Sequence, residues 1–354
     1  MIGLEEFYSG KRIFITGHTG FKGSWLTQIL VEWGAIVKGF SLEDQGKKSH
    51  FKILGLNSKI EHELADIRNA QELEKSVNDF KPDIVFHLAA QALVRESYKN
   101  PKETYSTNVM GSLNLLEAVN KCDSVSSLVF VTSDKCYENL EWIWGYRETD
   151  ALGGHDPYSS SKAAAEILFS SYARSYFFSK SEFSSGSARA GNVIGGGDYA
   201  ADRIIPDCVR ASRNNGRVLL RNPIATRPWQ HVLEPLSGYL LLGKNLFGHQ
   251  LESGEAWNFG PNSERTITVE EVATKVFEIL GSGRLEIDSS SHHPHEADLL
   301  QLNCDKAHSK LGWKSTWSGD LAIRKTAEWY RDVEKEISVI EVTNNQIKEF
   351  FNEN

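Results

Sequence analysis

The segment Arg12-Ile13-Phe14-Ile15-Thr16-Gly17-His18-Thr19-Gly20-Phe21-Lys22-Gly23 decides the fold of this chain. Its first five residues are a short apolar, β-branched run that ends at a glycine, which predicts a buried strand. From Phe21 to Trp33 apolar residues recur at helical spacing, and Gly34 follows as a candidate C-terminal cap. A glycine-rich turn that joins a strand directly to a helix is typical of dinucleotide-binding proteins. A P-loop is excluded, because positions 22–24 read Lys-Gly-Ser instead of Gly-Lys-Ser.

The three glycines of this turn have different predicted roles. Gly17 permits the tight turn, Gly20 lets the backbone approach a pyrophosphate, and Gly23 allows the helix to pack closely on the strand. The first helical turn, with Phe21 and Lys22, offers N–H groups and the positive end of the helix dipole to the phosphates. We therefore expect these five residues to contact the cofactor.

The residue that binds the adenosine ribose is less well defined by the sequence. Glu43 and Asp44 lie about 20 positions beyond the turn, where an acidic residue would indicate NAD, and no arginine nearby could hold the 2′-phosphate of NADP. The sequence therefore favours NAD. Asp66, with Ile67 beside it, follows a strand-like stretch and could accept a hydrogen bond from the adenine amino group. An N-cap for the next helix is an equally plausible role for Asp66.

Strand and helix signals alternate strictly through the first 130 residues. Further strands are predicted at 36–40, 83–88 and 127–132, and further helices at 69–80 and 101–120. Alternation of this kind, with nearly continuous apolar strands, implies a parallel sheet covered on both faces. The expected fold class is α/β, with a Rossmann-type doubly wound parallel sheet and a smaller C-terminal α/β substrate-binding region. Residues 1–186 would form the NAD-binding part and 187–354 mainly the substrate-binding part, with some of the second segment crossing back to the sheet.

The second half of the chain is less regular and more polar. Residues 188–198 are predicted to be a loop because they are rich in glycine. A short strand is expected at 217–221 and helices at 230–246, 268–280, 305–311 and 318–334. The last 20 or so residues are either a terminal helix or a loose tail. Because no low-complexity linker separates the halves, we expect them to pack as one unit.

Composition and charge restrict the class of protein. The 354 residues are 40% hydrophobic and 24% charged, as in a soluble globular protein, and the net charge is −8. This charge, without any lysine or arginine block, argues against a nucleic acid partner, and no apolar run is long enough for a membrane span. The N-terminus lacks the pattern of a secretion signal, and the four cysteines are widely spaced, as in reduced proteins. These features together predict a cytoplasmic protein.

Tyr158 and Lys162 lie four residues apart in Pro157-Tyr158-Ser159-Ser160-Ser161-Lys162. If Pro157 opens a helix, the two side chains share a face, and the lysine cation would lower the pKa of the Tyr158 phenol and make it a usable base. On spacing alone, an ordinary helical pair is the simpler interpretation. The nucleotide turn and the nearby segment Thr132-Ser133-Asp134-Lys135 favour the catalytic one.

Together these motifs resemble the extended short-chain dehydrogenase/reductase superfamily, and within it the nucleotide-sugar 4,6-dehydratases. The similarity extends over about positions 12–330. Beyond the turn and the Tyr/Lys pair, the matching segments are Leu88-Ala89-Ala90, Thr107-Asn108-Val109, Ser133, Gly191-Asn192-Val193-Ile194-Gly195 and Arg227-Pro228-Trp229-Gln230-His231-Val232. Members that act on dTDP-glucose typically have Thr-Asp-Glu at positions 133–135. The Ser-Asp-Lys sequence here, with Pro294-His295-Glu296-Ala297, resembles the members that act on CDP-glucose.

The resemblance implies a lyase that converts CDP-glucose to CDP-4-keto-6-deoxyglucose and water by internal hydride transfer through bound NAD. Tyr158, held as phenolate by Lys162 and the nicotinamide charge, would take the proton of the C4 hydroxyl, which Ser133 would orient. Asp134 would protonate the C6 hydroxyl as it leaves. Lys135 stands where relatives have the base for the C5 proton, a role that requires a lowered pKa, and it could instead position the sugar.

The resemblance also implies further contacts, an assembly and a pathway. Additional cofactor contacts would be Leu88, Ala89, Ala90 and Thr132. Substrate contacts would be Arg227 above all, then Asn192, with Arg203, His231 and Arg189 as weaker candidates.

Relatives commonly form homodimers through helices that correspond to 101–120 and 157–178, and a homotetramer is an alternative. The product would enter deoxysugar synthesis for surface polysaccharide such as lipopolysaccharide O-antigen.

Alternatives stay open at the level of sequence. Another nucleotide sugar, such as dTDP-glucose, a UDP-sugar or GDP-mannose, could be the substrate. An epimerase or net reductase of a nucleotide sugar, or a non-catalytic dinucleotide-binding protein, would share the nucleotide turn. A metal site is not expected at His292-His293-Pro294-His295-Glu296, because proline interrupts the segment and no helical His-x-x-x-His spacing occurs.

Overall fold

The structure is a computed structural model that describes residues 3–43, 49–214, 216–261, 267–287 and 299–353. Asp44 and the histidine-rich segment with its neighbours at 292–297, which entered the sequence-based predictions, lie outside the described residues. The strands are β1 (Arg12–Thr16), β2 (Ile36–Ser41), β3 (Glu61–Leu64), β4 (Ile84–His87), β5 (Ser127–Val131), β6 (Ser184–Arg189), β7 (Val193–Ile194), β8 (Arg217–Leu220), β9 (Thr226–Arg227), β10 (Gln230–His231), β11 (Glu255–Asn258), β12 (Ile267–Thr268) and β13 (Arg284–Ile287).

The α-helices alternate with these strands and cover the sheet. They are α1 (Leu4–Tyr8), α2 (Phe21–Glu32), α3 (His50–Ile53), α4 (Ala70–Phe80), α5 (Val94–Lys99), α6 (Pro101–Tyr105), α7 (Ser112–Lys121), α8 (Pro157–Tyr172), α9 (Ile204–Arg213), α10 (Leu233–Phe247), α11 (Val269–Leu280), α12 (Gly319–Glu334) and α13 (Val339–Asn352). Short 3₁₀ turns are at Leu56–Ser58 and Asp134–Cys136. A π-helical segment, Ser106–Gly111, joins α6 to α7, and two others are at Ala173–Phe177, which continues α8, and Ala307–Leu311.

The central sheet is parallel and has seven strands in the order β3-β2-β1-β4-β5-β6-β11. The predicted Rossmann-type α/β fold is therefore confirmed, since the order of the first six strands is that of the doubly wound fold. The last strand, β11, belongs to the second half of the chain and does return to the sheet.

The two faces of the sheet bury different sets of side chains. Along β1, Ile13 and Ile15 face a cluster that includes Trp25 of α2, whereas Phe14 faces the opposite cluster with Leu115 of α7. Alternate residues of a strand point to opposite faces, so continuous apolar strands supply both layers. The first cluster also contains Trp257, Trp313 and Trp329 of the second half, so the two halves share one core, as expected.

The structure corrects two details of the sequence-based prediction and decides one open alternative. Ala188 and Arg189 are the end of β6, and β7 pairs with β10, so residues 188–198 are only partly a loop. The boundary after residue 186 falls inside β6, and the division into two regions stays a prediction. The helix predicted to start at Gln230 starts at Leu233. The C-terminal residues form a helix, α13, whose Phe350 is buried, so the alternative of a loose tail is excluded.

Among the described residues, none of the helices is both long and apolar enough to cross a membrane.

Candidate active site

The glycine-rich turn lies at the carboxyl end of β1, beside the ends of β2 and β4. Gly17 has a φ of 77°, and a Cβ atom there would meet the backbone N of Ala89 at 2.7 Å. A Cβ atom on Gly23 would meet the Gly17 carbonyl oxygen at 2.1 Å. Gly20, the N-cap of α2, has no side chain to bond the N–H groups of the first turn. These donors are left for an acceptor, so the turn fits the pyrophosphate of a dinucleotide.

The segment after β4 closes the other side of this turn. The backbone N of Ala89 donates to Thr16 Oγ1 at 3.2 Å, and the backbone N of Leu88 donates to the Thr16 carbonyl oxygen at 3.1 Å. Leu88, Ala89 and Ala90 are all partly exposed. They therefore line the carboxyl edge of the sheet where the sequence predicted cofactor contacts.

Lys22 lies in the same cluster as the catalytic candidates. Lys22 is partly exposed as a residue, and its ammonium donates to the Tyr239 hydroxyl at 3.4 Å. Burial lowers the pKa of Lys22 to about 8; the Asp134 charge opposes this shift, and the Lys162 and Arg203 cations add to it. The first turn of α2 thus reaches the centre of the site as well as the nucleotide turn.

Asp66 lies just beyond β3, near the edge where adenine would bind. Its carboxylate pairs with Arg68 at 2.5 Å, which lowers the pKa of the carboxyl group. The N-cap of α4 is Asn69, whose side chain accepts from the Glu72 backbone N, so the N-cap interpretation of Asp66 is wrong. Ile67 is buried. The adenine contact of Asp66 and Ile67 stays a prediction.

At the end of β2, Glu43 is exposed and pairs with Lys52 at 2.8 Å. The ribose contact of this segment likewise stays a prediction.

The Tyr158/Lys162 pair is on the first turns of α8. This helix begins at Pro157 as predicted, and Asp156 caps it by accepting from the backbone N of Tyr158 and of Ser159, each at 3.0 Å. Tyr158 is 8% exposed and Lys162 6% exposed. Spacing of four residues places both on the inner face of the helix.

Ser133 and Asp134 follow β5 and face this pair. Ser133 Oγ donates to Asp134 Oδ1 at 3.0 Å, and Asn192 Nδ2 donates to Asp134 Oδ2 at 3.2 Å. A Cβ atom on Gly191 would lie 1.7 Å from Asp134 Oδ2, so the absence of a side chain there makes room for the carboxyl group. Ser133 also acts on the Tyr158 phenol, whose pKa it lowers. The structure thus brings the buried residues Ser133, Asp134 and Tyr158 together, with the partly exposed Asn192 beside Asp134.

Burial dominates the electrostatics of Tyr158 and Lys162. It raises the pKa of Tyr158 to about 12, and the groups that lower this pKa are Ser133 and Arg203. It also lowers the pKa of Lys162 to about 8. Loss of solvation disfavours the charged form of each group. The role of Lys162, which together with the nicotinamide charge would hold Tyr158 as phenolate, stays a prediction.

The predicted substrate contacts separate into two groups. Arg203 donates to Asp198 Oδ2 at 2.7 Å, and its charge acts on the Tyr158 phenol, so it lies at the site. Arg227, on β9, is half-buried, and its guanidinium donates to the Thr226 carbonyl oxygen at 2.9 Å. Its contact with a diphosphate stays a prediction, as does that of Asn192.

His231 and Arg189 lie in the core. His231 is completely buried, and its ring lies 5.7 Å from that of Trp25 and 4.9 Å from that of Trp317. Arg189 is also buried and pairs with Glu166 at 2.7 Å. A substrate contact of these two weaker candidates stays a prediction.

Lys135 is exposed, and its backbone N donates to Ser133 Oγ at 3.3 Å. The role of Lys135 in the reaction, as the base for the C5 proton or in positioning the sugar, stays a prediction.

Two buried residues of this region were missed by the sequence-based reasoning. Glu166 is bonded by Thr132 Oγ1, by Ser187 Oγ at 2.8 Å and by Arg189. Its position four residues after Lys162 was a signal that could have been used. Tyr239, the partner of Lys22, comes from α10, and no local pattern indicates it.

In the ranges that the structure describes, no group of three or more His, Cys, Asp or Glu side chains could hold a metal ion.

Comparisons with known proteins place this geometry in a family. Residues 14–326 match the model of the family described as GDP-mannose 4,6 dehydratase. The CDP-glucose 4,6-dehydratase of Salmonella typhimurium is 48% identical over 331 residues, which is 92% of each chain. The dTDP-D-glucose 4,6-dehydratase of Mus musculus is 27% identical and covers 91% of this chain and 89% of its own.

The solved structures agree on the fold. The UDP-glucose 4-epimerase of Thermus thermophilus, determined as a complex with NAD, superposes with a TM-score of 0.77 at 26% identity, and the match covers 90% of this chain and 99% of the epimerase. The similarity to this epimerase extends through both halves of the chain. With a family model that spans most of the sequence, the chain belongs to the GDP-mannose 4,6 dehydratase family.

Proposed function

We propose that this protein is an NAD-dependent lyase that converts CDP-glucose to CDP-4-keto-6-deoxyglucose and water. The observation that carries the proposal is the buried Asp134 carboxyl group, which shares a cluster with Tyr158 and Ser133. Removal of a hydroxyl as water needs an acid in addition to the base that oxidises the C4 alcohol. The 48% identical relative named CDP-glucose 4,6-dehydratase supports CDP-glucose as the substrate.

The residues of the cluster divide the work of a redox-neutral reaction. Tyr158 takes the proton of the C4 hydroxyl, and Ser133, which lowers the pKa of the phenol, orients the same oxygen. NAD, when bound at the glycine-rich turn, supplies the acceptor that takes the C4 hydrogen and later returns it to C6. Asp134 gives its proton to the C6 hydroxyl, which leaves as water while the C5 proton, made acidic by the new C4 ketone, passes to a base, for which Lys135 is the candidate by its position in the motif. That proton is returned to C5 when the hydrogen is returned to C6. Because one hydroxyl leaves as water and the hydride is returned, no net oxidant or reductant is consumed.

Exclusion of water from the cluster is part of this chemistry. Ser133, Asp134, Tyr158 and Lys162 are each less than 10% exposed. Arg203 remains partly exposed beside Tyr158 and is our candidate for an anionic group of the substrate, because a guanidinium binds phosphate oxygens through two donors. The roles proposed for Arg227 and Asn192 follow from their match to the substrate-side motifs.

The proposal is tested by the mass of the product. Purified protein with NAD is incubated separately with CDP-glucose, dTDP-glucose, UDP-glucose and GDP-mannose. We expect loss of one water from CDP-glucose alone, without net formation of NADH. Loss of water from another donor would change the proposed substrate. An unchanged mass with every donor would contradict the lyase and favour an epimerase, the activity named for the structural neighbour.

We further propose a homodimer that forms through α8 and the α6–α7 segment. Both elements carry exposed apolar side chains, with Met110 52%, Ile167 58% and Tyr176 51% exposed. Exposed apolar side chains of this kind suit an interface, and a second copy of the chain would cover them.

We also propose a cytoplasmic location and a pathway. The four cysteines are buried and unpaired, which supports the cytoplasmic location. A role in deoxysugar synthesis for surface polysaccharide such as O-antigen is proposed from the resemblance.

The dimer proposal predicts the effect of Ile167→Lys. A lysine charge buried at the interface should weaken self-association at least about tenfold. The fold should be retained, because residue 167 is exposed in the single chain. Sedimentation equilibrium measures this change. Ile224→Lys, at a side chain that is 77% exposed elsewhere, is the matched control and should leave association unchanged. Equal association of both variants would contradict the proposed interface.

A further inference from the structure

A line of buried polar side chains runs from the nucleotide turn toward α8, the helix that carries Tyr158. It begins at Thr16, the last residue of β1, whose Oγ1 lies 2.7 Å from Nδ1 of His87, the last residue of β4. The other ring nitrogen of His87, Nε2, lies 2.9 Å from Oγ of Ser112, the first residue of α7. His87 is 1% exposed, so its ring bonds these two hydroxyl groups instead of solvent.

The line continues from Ser112 to α8. Ser112 Oγ donates to the Asn108 carbonyl oxygen at 2.7 Å, and Asn108 Nδ2 donates to Ser161 Oγ at 2.9 Å. Ser161 Oγ in turn donates to the carbonyl oxygen of Tyr158 at 2.7 Å. We call this line the His87 chain, and its members, each at most 3% exposed, are Thr16, His87, Ser112, Asn108 and Ser161. It joins the sheet edge where the cofactor would bind to the first turns of α8.

The directions of these bonds fix the proton on the His87 ring. A serine hydroxyl has one proton, and that of Ser112 is donated to Asn108, so Ser112 Oγ accepts from His87 Nε2–H. Nδ1 is then unprotonated and accepts from the Thr16 hydroxyl, whose oxygen accepts from the Ala89 backbone N at 3.2 Å. With the proton on Nδ1 instead, the Thr16 hydroxyl would be a buried donor without an acceptor among the described residues, which is costly. His87 is therefore the neutral Nε2–H tautomer.

A positively charged imidazole does not fit this site. Both ring nitrogens would then donate, and the Thr16 hydroxyl would again lose its acceptor. Burial lowers the pKa of His87 to about 3, and the Lys162 ammonium, the charged group that faces the ring from α8, adds to this effect. The His87 chain therefore keeps one direction of donation at neutral pH.

We propose that His87, as this tautomer, is a positioning residue that sets the distance between the nucleotide turn and Tyr158. Both ring nitrogens are already bonded, so His87 touches neither substrate nor cofactor and acts through the hydroxyl groups of Thr16 and Ser112. Oxidation at C4 requires cofactor and phenol to be aligned on the same alcohol group, and a displacement of about 1 Å can cost about 10²-fold in rate. This consequence rests on the proposed function. The tautomer of the ring and the anchoring of α8 do not.

The tautomer is tested by NMR of the ligand-free protein labelled with ¹⁵N-histidine. In a neutral imidazole the two nitrogens have widely separated shifts, and the signal of His87 is the one that Ser112→Ala displaces most. We expect Nε2 to be protonated and Nδ1 unprotonated from about pH 5 to about pH 8, the interval in which an unperturbed histidine changes its charge. A proton on Nδ1, or titration of the ring within that interval, would overturn the proposal.

The anchoring of α8 is tested by amide hydrogen exchange of the same ligand-free protein, measured by mass spectrometry. Ser112→Ala removes one hydroxyl and interrupts the His87 chain, so peptides from the first turns of α8 should exchange at least about tenfold faster. Ser127→Ala is the matched control, because Ser127 is also buried and donates to a backbone carbonyl, that of Gly243 at 3.1 Å, at the amino end of β5. Equal protection of α8 in the two variants would contradict the anchoring role.

The kinetics of His87 variants separate positioning from packing. For water loss from CDP-glucose, kcat per binding site should fall about 10²-fold in His87→Leu, which bonds neither hydroxyl, while KM changes less than about threefold. His87→Gln, whose amide can take the place of Nε2–H, should be at least about tenfold faster than His87→Leu. Binding sites are counted by calorimetric titration with CDP-glucose in the absence of NAD, so that unfolded protein does not lower the measured rate. Equal rates for folded His87→Leu and His87→Gln would overturn the proposal.

Ser112→Ala keeps the kinetic test decisive if His87→Leu does not fold. Its kcat should fall at least about tenfold, while Ser127→Ala should keep the wild-type rate. A wild-type kcat in folded Ser112→Ala would refute positioning by the His87 chain. If no sugar nucleotide loses water, the proposed function fails, while the tautomer and the exchange of α8 still decide the role of His87.

Discussion

Replacement of Tyr158 by phenylalanine is expected to lower kcat for water loss from CDP-glucose by about 10³-fold, within the range of 10²- to 10⁴-fold that proton transfer by a side chain contributes. Phenylalanine keeps the ring and its packing and removes only the hydroxyl that takes the C4 proton. Tyr158 is only 8% exposed, so water cannot freely replace its hydroxyl. The product is measured by mass after a fixed time.

The control for this variant is Tyr172→Phe. Tyr172 lies on the same helix and donates its hydroxyl to Glu117 at 2.7 Å, away from the cluster. The Tyr172→Phe variant should retain nearly wild-type activity. If Tyr158→Phe keeps more than about a tenth of the wild-type rate, the loss of rate is smaller than removal of a catalytic base causes. Tyr158 is then not that base.

Asp134→Asn is expected to lower kcat for water loss by about 10²- to 10³-fold, because an amide cannot give a proton to the C6 hydroxyl. The substitution preserves the shape that Gly191 accommodates. Asn192 can turn its own amide to present an oxygen to the new NH₂ group, so the local hydrogen bonds are kept. Binding of CDP-glucose, measured by calorimetry, should therefore change by less than about tenfold, while the rate falls.

The surface carboxylate Asp79, paired with Lys75 on α4, supplies the control for Asp134→Asn. Asp79→Asn removes an acidic group without touching the cluster and should leave the rate unchanged. A wild-type rate for Asp134→Asn would exclude this residue as the acid and would weaken the distinction from an epimerase. Loss of binding together with the rate would indicate instead that Asp134 positions the sugar.

Tyr158 and Lys162 show which features of the site can be predicted from local sequence patterns. Pro157 and the four-residue spacing were enough to predict that Tyr158 and Lys162 share a helix face, because helix geometry is fixed locally. The sign of the Tyr158 pKa shift was not predictable, because it depends on burial by elements that are distant in the chain. The same holds for Lys135, where the motif gave the position but not the exposure of the side chain.

The sequence by itself determined the alternation of strands and helices, the nucleotide turn and the positions of the cluster, because hydrophobic periodicity and glycine sterics act over short stretches of chain. Only the tertiary structure decided that Arg189 pairs with Glu166 and that His231 belongs to the core. It also decided that Gly191 makes room for the Asp134 carboxyl group. Each of these depends on contacts between residues more than 20 positions apart, and on the solvent that folding removes from them.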